Sequence, residues 1–190
     1  MEKPDLMRTA DADILIVPGY TNSAEDHWQS RWEAKLPTAR RVHLGDWHRP
    51  EKERWVDNLA TAVASCSRPV ILVGHSLGVV TIAHAAPLFP KGVVRGGFLV
   101  GLPDIEDHAN IPEIERHFAP IPRDPLPFPS VLVASRTDPH CAYQRAEDFG
   151  YSWGSAVADA GDAGHINAAS GHGPWPEGLM RFAGFLKALG

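Results

Sequence analysis

The stretch that most constrains this chain is Val70-Ile71-Leu72-Val73-Gly74-His75-Ser76-Leu77-Gly78. Four consecutive apolar residues, three of them β-branched, suit a strand buried on both faces, as strands of a parallel sheet are. The run stops at Gly74, and residues 79–88 resume at helical spacing until Pro90. Strand must therefore pass into helix across one short turn. Gly74 and Gly78 flank Ser76 two positions away on either side, removing side chains where strand and helix pass closely. The turn holds the serine at positive φ, with its hydroxyl projecting above the sheet edge.

The rest of the chain repeats the alternation. Asp13–Val17 is a second continuous apolar run, ended by Pro18-Gly19. Residues 25–35 carry Trp28 and Trp32 four positions apart, a helical spacing. A weak strand is expected over 40–44, then a helix over 51–64, where Trp55, Leu59 and Val63 share one face. Residues 93–100 and 131–134 read as strands, 142–149 as a helix, 155–158 as a short last strand, and 177–189 as a closing amphipathic helix. Strands alternating with helices imply βαβ units, hence a mainly parallel sheet covered on both faces. One segment breaks the alternation: residues 101–129 hold seven prolines around a short helix-like piece at 112–118. It reads either as a lid or binding loop or as a rigid surface excursion.

At 190 residues the chain is expected to form one domain, 1–190, with a core of ordinary size. A net charge of -5 without a basic block argues against nucleic acid or an anionic membrane as partner. The start, Met1-Glu2-Lys3-Pro4-Asp5, lacks the apolar stretch of a signal peptide, and no apolar run is long enough to predict a transmembrane helix. Cys66 and Cys141 are expected as free thiols of a reducing compartment, so a cytoplasmic location is expected. His43 and His48 flank Asp46 at a spacing that matches no standard metal site, and no Walker or dinucleotide fingerprint occurs. No metal or cofactor is expected, and a protein partner is left open, with nothing in the sequence to support one.

A serine hydroxyl is a poor nucleophile without a base, and the base needs a carboxylate to orient it. Where a serine sits in a G-x-S-x-G turn, the acid and then the histidine follow on later loops at the same sheet edge. Asp138 lies just past the 131–134 strand in Ser135-Arg136-Thr137-Asp138-Pro139, and His165 just past the last strand in Gly161-Asp162-Ala163-Gly164-His165. Asp104 is the main rival acid, ahead of Asp159 and Asp162. His140, His172 and His27 are rival bases. The helix N-terminus offers the Leu77 N–H to a developing oxyanion. The loop after the first strand, Pro18-Gly19-Tyr20-Thr21-Asn22-Ser23, offers the Tyr20 N–H as a second donor, with Gly19 and Thr21 as register alternatives. Gly19, Thr21, His75 and Leu102 are candidate substrate contacts.

Together these residues resemble the retinoblastoma-binding serine hydrolase family of small α/β-hydrolases, over nearly the whole chain. The resemblance rests on Pro18-Gly19 with Ser23 and His27-Trp28-Gln29, on Gly74–Gly78, on Asp138-Pro139, on Gly164-His165-Ile166-Asn167, and on Ser170-Gly171-His172-Gly173-Pro174-Trp175-Pro176-Glu177. It implies Ser76, Asp138 and His165 as the catalytic residues and short acyl or carboxylic esters as substrates. One departure is visible: an aromatic residue is expected after Asp138-Pro139, and this chain has His140.

The fold expected is α/β, a reduced α/β-hydrolase arranged as a three-layer αβα sandwich with about six mainly parallel strands. The activity expected is hydrolysis of small-molecule esters through a Ser-His-Asp triad and an acyl-enzyme. A thioesterase or amidase would use the same triad, and a regulatory or binding protein on a hydrolase scaffold is the alternative from another class.

Overall fold

The computed structural model describes residues 7–107, 114 and 117–190. Six strands form one sheet: β1 (Asp13–Val17), β2 (Ala39–Arg41), β3 (Val70–His75), β4 (Val94–Val100), β5 (Ser130–Ala134) and β6 (Ala156–Asp159). Their order is β2-β1-β3-β4-β5-β6, and every neighbouring pair is parallel. The helices are α1 (Trp28–Lys35), α2 (Lys52–Ala64), α3 (Leu77–Ala85), α4 (Tyr143–Trp153) and α5 (Pro176–Leu189).

Strand alternation splits the buried side chains into two cores. Leu15, Val17, Leu72, Leu99 and Leu132 face Trp55, Leu59, Val63, Val80, Phe149 and Trp153 of α2, α3 and α4. Ile14, Ile16, Ile71, Val73, Phe98 and Val133 face Trp28, Trp32, Phe182 and Leu186 of α1 and α5. The result is a three-layer α/β sandwich of the α/β-hydrolase type. No described helix is long and apolar enough to cross a membrane.

Several element boundaries move. The strand expected over 40–44 is only Ala39–Arg41, because β2 is an edge with a single partner; Val42 still donates to Ile16 (2.9 Å), and Gly45 at φ 137° then turns the chain away. The first helix starts at Trp28 rather than at residue 25, because His27 caps it: its Nδ1 accepts the Gln29 N–H at 3.1 Å. The helix α4 runs on to Trp153, since Phe149 and Trp153 continue its buried face, and Gly154 ends it at φ 67°. Of the helix-like piece at 112–118, Ile114, His117 and Phe118 are described and are helical. The remainder lies outside the described residues.

Candidate active site

The chain runs from β1 outward to β2, then returns to place β3 on the other side of β1. At such a reversal the loops leaving the carboxyl ends of the two central strands diverge and open a crevice. Here those loops are the Pro18–Ser23 segment and the turn at Ser76. Ser76 has φ 53° and ψ −128° and caps α3. Close packing explains the glycines around it. A Cβ on Gly78 would strike the Val17 carbonyl, and one on Gly74 would stand 2.7 Å from Ile82 Cδ1.

The loops after β5 and β6 bring Asp138 and His165 to the same crevice. His165 Nε2 lies 2.9 Å from Ser76 Oγ, and its Nδ1 lies 3.0 and 2.9 Å from the two oxygens of Asp138. A carboxylate only accepts hydrogen bonds, so Nδ1 carries the proton and Nε2 is free to accept from the serine hydroxyl. The Asp138 side chain is nearly fully buried and is itself held by the His140 N–H, at 2.9 Å from Oδ1. The imidazole of His165 therefore cannot turn without breaking contacts at both nitrogens.

The histidine loop is pinned from beneath. His75 Nε2 lies 2.9 Å from the His165 carbonyl and must donate to it; Trp28 Nε1–H donates to the next carbonyl, that of Ile166, at 2.9 Å. Ile166 stands at φ 48°, a conformation costly for a β-branched residue without such support. Gln29, fully buried, donates from Nε2 to the Val17 carbonyl at the end of β1 and to the Val73 carbonyl two residues before the end of β3, and accepts from Ser23 Oγ at 2.7 Å. The His-Trp-Gln run thus caps a helix, pins the histidine loop and ties two strands together. Its pattern in the sequence signalled importance but not this division of labour.

The described chain from Ile14 to near its end matches the serine hydrolase family model, over residues 14–184. The chain belongs to the serine hydrolase family. Among solved structures, this serine hydrolase is similar to a protein named as a YdeN-like hydrolase from Pectobacterium atrosepticum: 34% identity, TM-score 0.84, covering 95% of this chain and 94% of that one. The YdeN protein of B. subtilis follows at 18% identity and TM-score 0.68, covering 90% and 98%. An esterase domain from a Rhodothermus marinus protein stands at 16% identity and TM-score 0.68, covering 98% and 90%. The last two likenesses show the fold alone. No curated protein matches the chain.

In this hydrolase a cavity of about 200 Å³ opens over Ser76, lined by Tyr20, Thr21, Leu77, Pro103, Ile105, Ile114, His140, His165 and Asn167. An apolar cavity of about 150 Å³ accommodates benzene, so the space suits a small molecule. A larger groove of about 660 Å³ between β2 and α2 is lined by Arg40, Arg41 and Arg54 but contains no serine–histidine pair.

Of the expected substrate contacts, Thr21 lines the cavity; Gly19, His75 and Leu102 do not. Gly19 lies against the serine turn: a Cβ there would sit 2.7 Å from Ser76 Cβ and 3.1 Å from the Leu77 nitrogen. His75 points beneath the serine, because strand alternation sends it to the α1 face. Leu102 turns inward after Gly101 (φ 60°) and is buried in the core on the α2–α4 face. Of the candidate oxyanion donors, the Thr21 N–H is engaged by the Trp47 carbonyl at 2.9 Å. The N–H groups of Tyr20 and Leu77 make no hydrogen bond among the described residues.

The rivals stand elsewhere. Asp104 is fully buried, but Arg145 Nε donates to its Oδ2 at 2.7 Å. His172 pairs with Ser170 (3.1 Å) and His27 caps α1, so neither reaches Ser76. His140 meets the His165 ring edge-on, with centroids 4.6 Å apart. Asn167 as a cavity wall was missed; the sequence pointed to His140 both as a rival base and as a change in the pocket wall, and the cavity lining includes it. The departure from the family pattern at 140 was the available signal. Burial pushes His27 down to about 4, assisted by Arg41, and holds His75 well below the usual imidazole range. Burial, with His165 beside it, also lowers His140.

Proposed function

We propose that this serine hydrolase cleaves small carboxylic esters through an acyl-enzyme, with Ser76 as nucleophile, His165 as base and Asp138 as its orienting acid. The observation that carries the reading is the continuous path Ser76 Oγ–His165 Nε2, His165 Nδ1–Asp138, with 2.9 Å at each link. As Ser76 Oγ attacks the ester carbonyl, Nε2 takes its proton, and Asp138 stabilises the imidazolium that forms. The Leu77 and Tyr20 N–H groups receive the oxyanion, each worth about 3 kcal/mol in the transition state. His165 returns the proton to the leaving alcohol, then activates the water that releases the acid from Ser76.

The same motifs, above all His27-Trp28-Gln29 and Gly164-His165-Ile166-Asn167, support placing the chain in the retinoblastoma-binding branch of the family. Two free thiols, Cys66 and Cys141, support a cytoplasmic location. A fluorophosphonate probe is expected to label the protein and to leave Ser76→Ala unlabelled; labelling of the alanine variant would refute the nucleophile. Profiling of p-nitrophenyl esters by chain length, with Ser76→Ala as blank, tests the substrate class. Asp138→Ala is expected to lose kcat far more than Asp104→Ala, and the reverse order would exchange the two acids.

A further inference from the structure

The wall of the Ser76 cavity is chemically divided. Pro103, Ile105 and Ile114 contribute apolar surface; Tyr20 and Thr21 on the β1 loop, and His140 and Asn167 beside His165, contribute polar groups. Their sidedness follows from the proton path. The leaving-group oxygen must come within reach of His165 Nε2 to be protonated, so the alcohol part of an ester lies against that ring. His140 packs edge-on against the same ring, at 4.6 Å between centroids, and Asn167 lies two residues further along the same loop.

Both residues have unspent hydrogen-bonding capacity. The His140 backbone N–H is used on Asp138, but its half-buried imidazole makes no hydrogen bond among the described residues. Asn167 Oδ1 accepts the Ser170 N–H at 2.9 Å, while its side-chain NH₂ is unused among the described residues. Burial and the neighbouring His165 keep His140 neutral near pH 7, so its ring presents one donor and one acceptor. Their unpaired nitrogens are open to solvent in the cavity, and a ligand hydroxyl that displaces that solvent can take its place.

Building on the esterase reading, we propose that His140 and Asn167 bind a hydroxyl on the alcohol part of the substrate, making short acyl esters of hydroxylated alcohols the preferred class over esters of plain alkanols. The apolar wall takes the acyl part. The reaction remains hydrolysis: water adds, the ester C–O bond breaks, and acid and polyol leave.

The test compares glyceryl monobutyrate with propyl butyrate, which share the acyl group and a three-carbon alcohol, each rate corrected for base-catalysed hydrolysis. The wild-type ratio of kcat/KM is expected to favour the glyceryl ester roughly three- to tenfold, the range of one net hydrogen bond. His140→Phe should bring the ratio towards one, and His140→Gln should retain it. A wild-type ratio of one, or a ratio unchanged in His140→Phe, overturns the assignment. Failure to hydrolyse either ester overturns it as well. Fluorophosphonate labelling of Ser76 then tells whether only this preference falls or the esterase reading with it.

Discussion

Two sides of the cavity are held by opposite means. Beneath His165, the supporting groups are buried and uncharged: His75 and Trp28 each donate to a loop carbonyl, and Trp28 packs edge-on against Trp32 and Trp175 at 4.8 and 5.1 Å. Across the cavity, the segment after β4 is fastened by charge. Arg145 bridges Asp104 and Glu106 at 2.7 and 3.1 Å, Arg123 joins Glu106 at 3.0 Å, and the Arg123 guanidinium lies 3.9 Å over the Phe149 ring. Apart from Asp104, these ionic groups are partly exposed, where salt screens them. The difference has a physical logic. Proton transfer tolerates little misplacement, so His165, as the proposed base, gains from supports that ionic strength hardly weakens. The wall that only shapes the substrate can be held by weaker, tunable ones.

The comparison can be broken from its rigid side first. Gly19→Ala places a methyl against Ser76 Cβ and the Leu77 nitrogen, where the oxyanion would lie. It is expected to lower kcat/KM roughly 100- to 1000-fold, the loss typical of a spoiled oxyanion donor, measured by steady-state ester hydrolysis. A near-normal rate would remove Leu77 from the oxyanion site.

The buried histidines make the same side pH-sensitive. His27 and His75 are neutral when folded, with values pushed below those of the unfolded chain. The unfolded state therefore binds more protons, and stability is full above about pH 6.5 and falls as the pH drops towards 4. For His27 alone the loss amounts to about 3 kcal/mol. Thermal melts across this range are expected to show the decline, and His27→Asn, which can still cap α1, should make it shallower, leaving the part due to His75.

Trp28→Phe leaves the Ile166 carbonyl without its donor, at an expected cost of about 1–3 kcal/mol in denaturant unfolding. Because the loop carries the proposed base, His165, kcat should fall while KM changes little. Glu106→Gln probes the other side and should have the smallest effect, within about 1 kcal/mol of stability. There KM rather than kcat should shift, and its dependence on salt should weaken. Equal kcat losses in both variants would mean that the two sides are not mechanically distinct.

Much of this architecture was legible because it depends on local pattern. The run at 70–73 could only be a doubly buried strand, and the spacing of Gly74 and Gly78 required a tight strand-to-helix turn. Loops ending strands announced themselves by composition, which put Ser76, Asp138 and His165 at one edge of the sheet before any distance was known. Boundaries were less legible where an end depends on a distant partner, as at β2, which stops for want of a second neighbour.

What the chain alone determined was the order of elements and the residues each loop carries to the sheet edge. Only the tertiary structure decided how side chains meet there: that the His75 ring donates to the His165 carbonyl, that Arg145 claims Asp104, and that Trp28 reaches a carbonyl 138 positions away. Periodicity in a sequence reports which face of its own element a residue occupies. It carries no information about which group from another element will occupy the space opposite, because that depends on packing of the whole sheet.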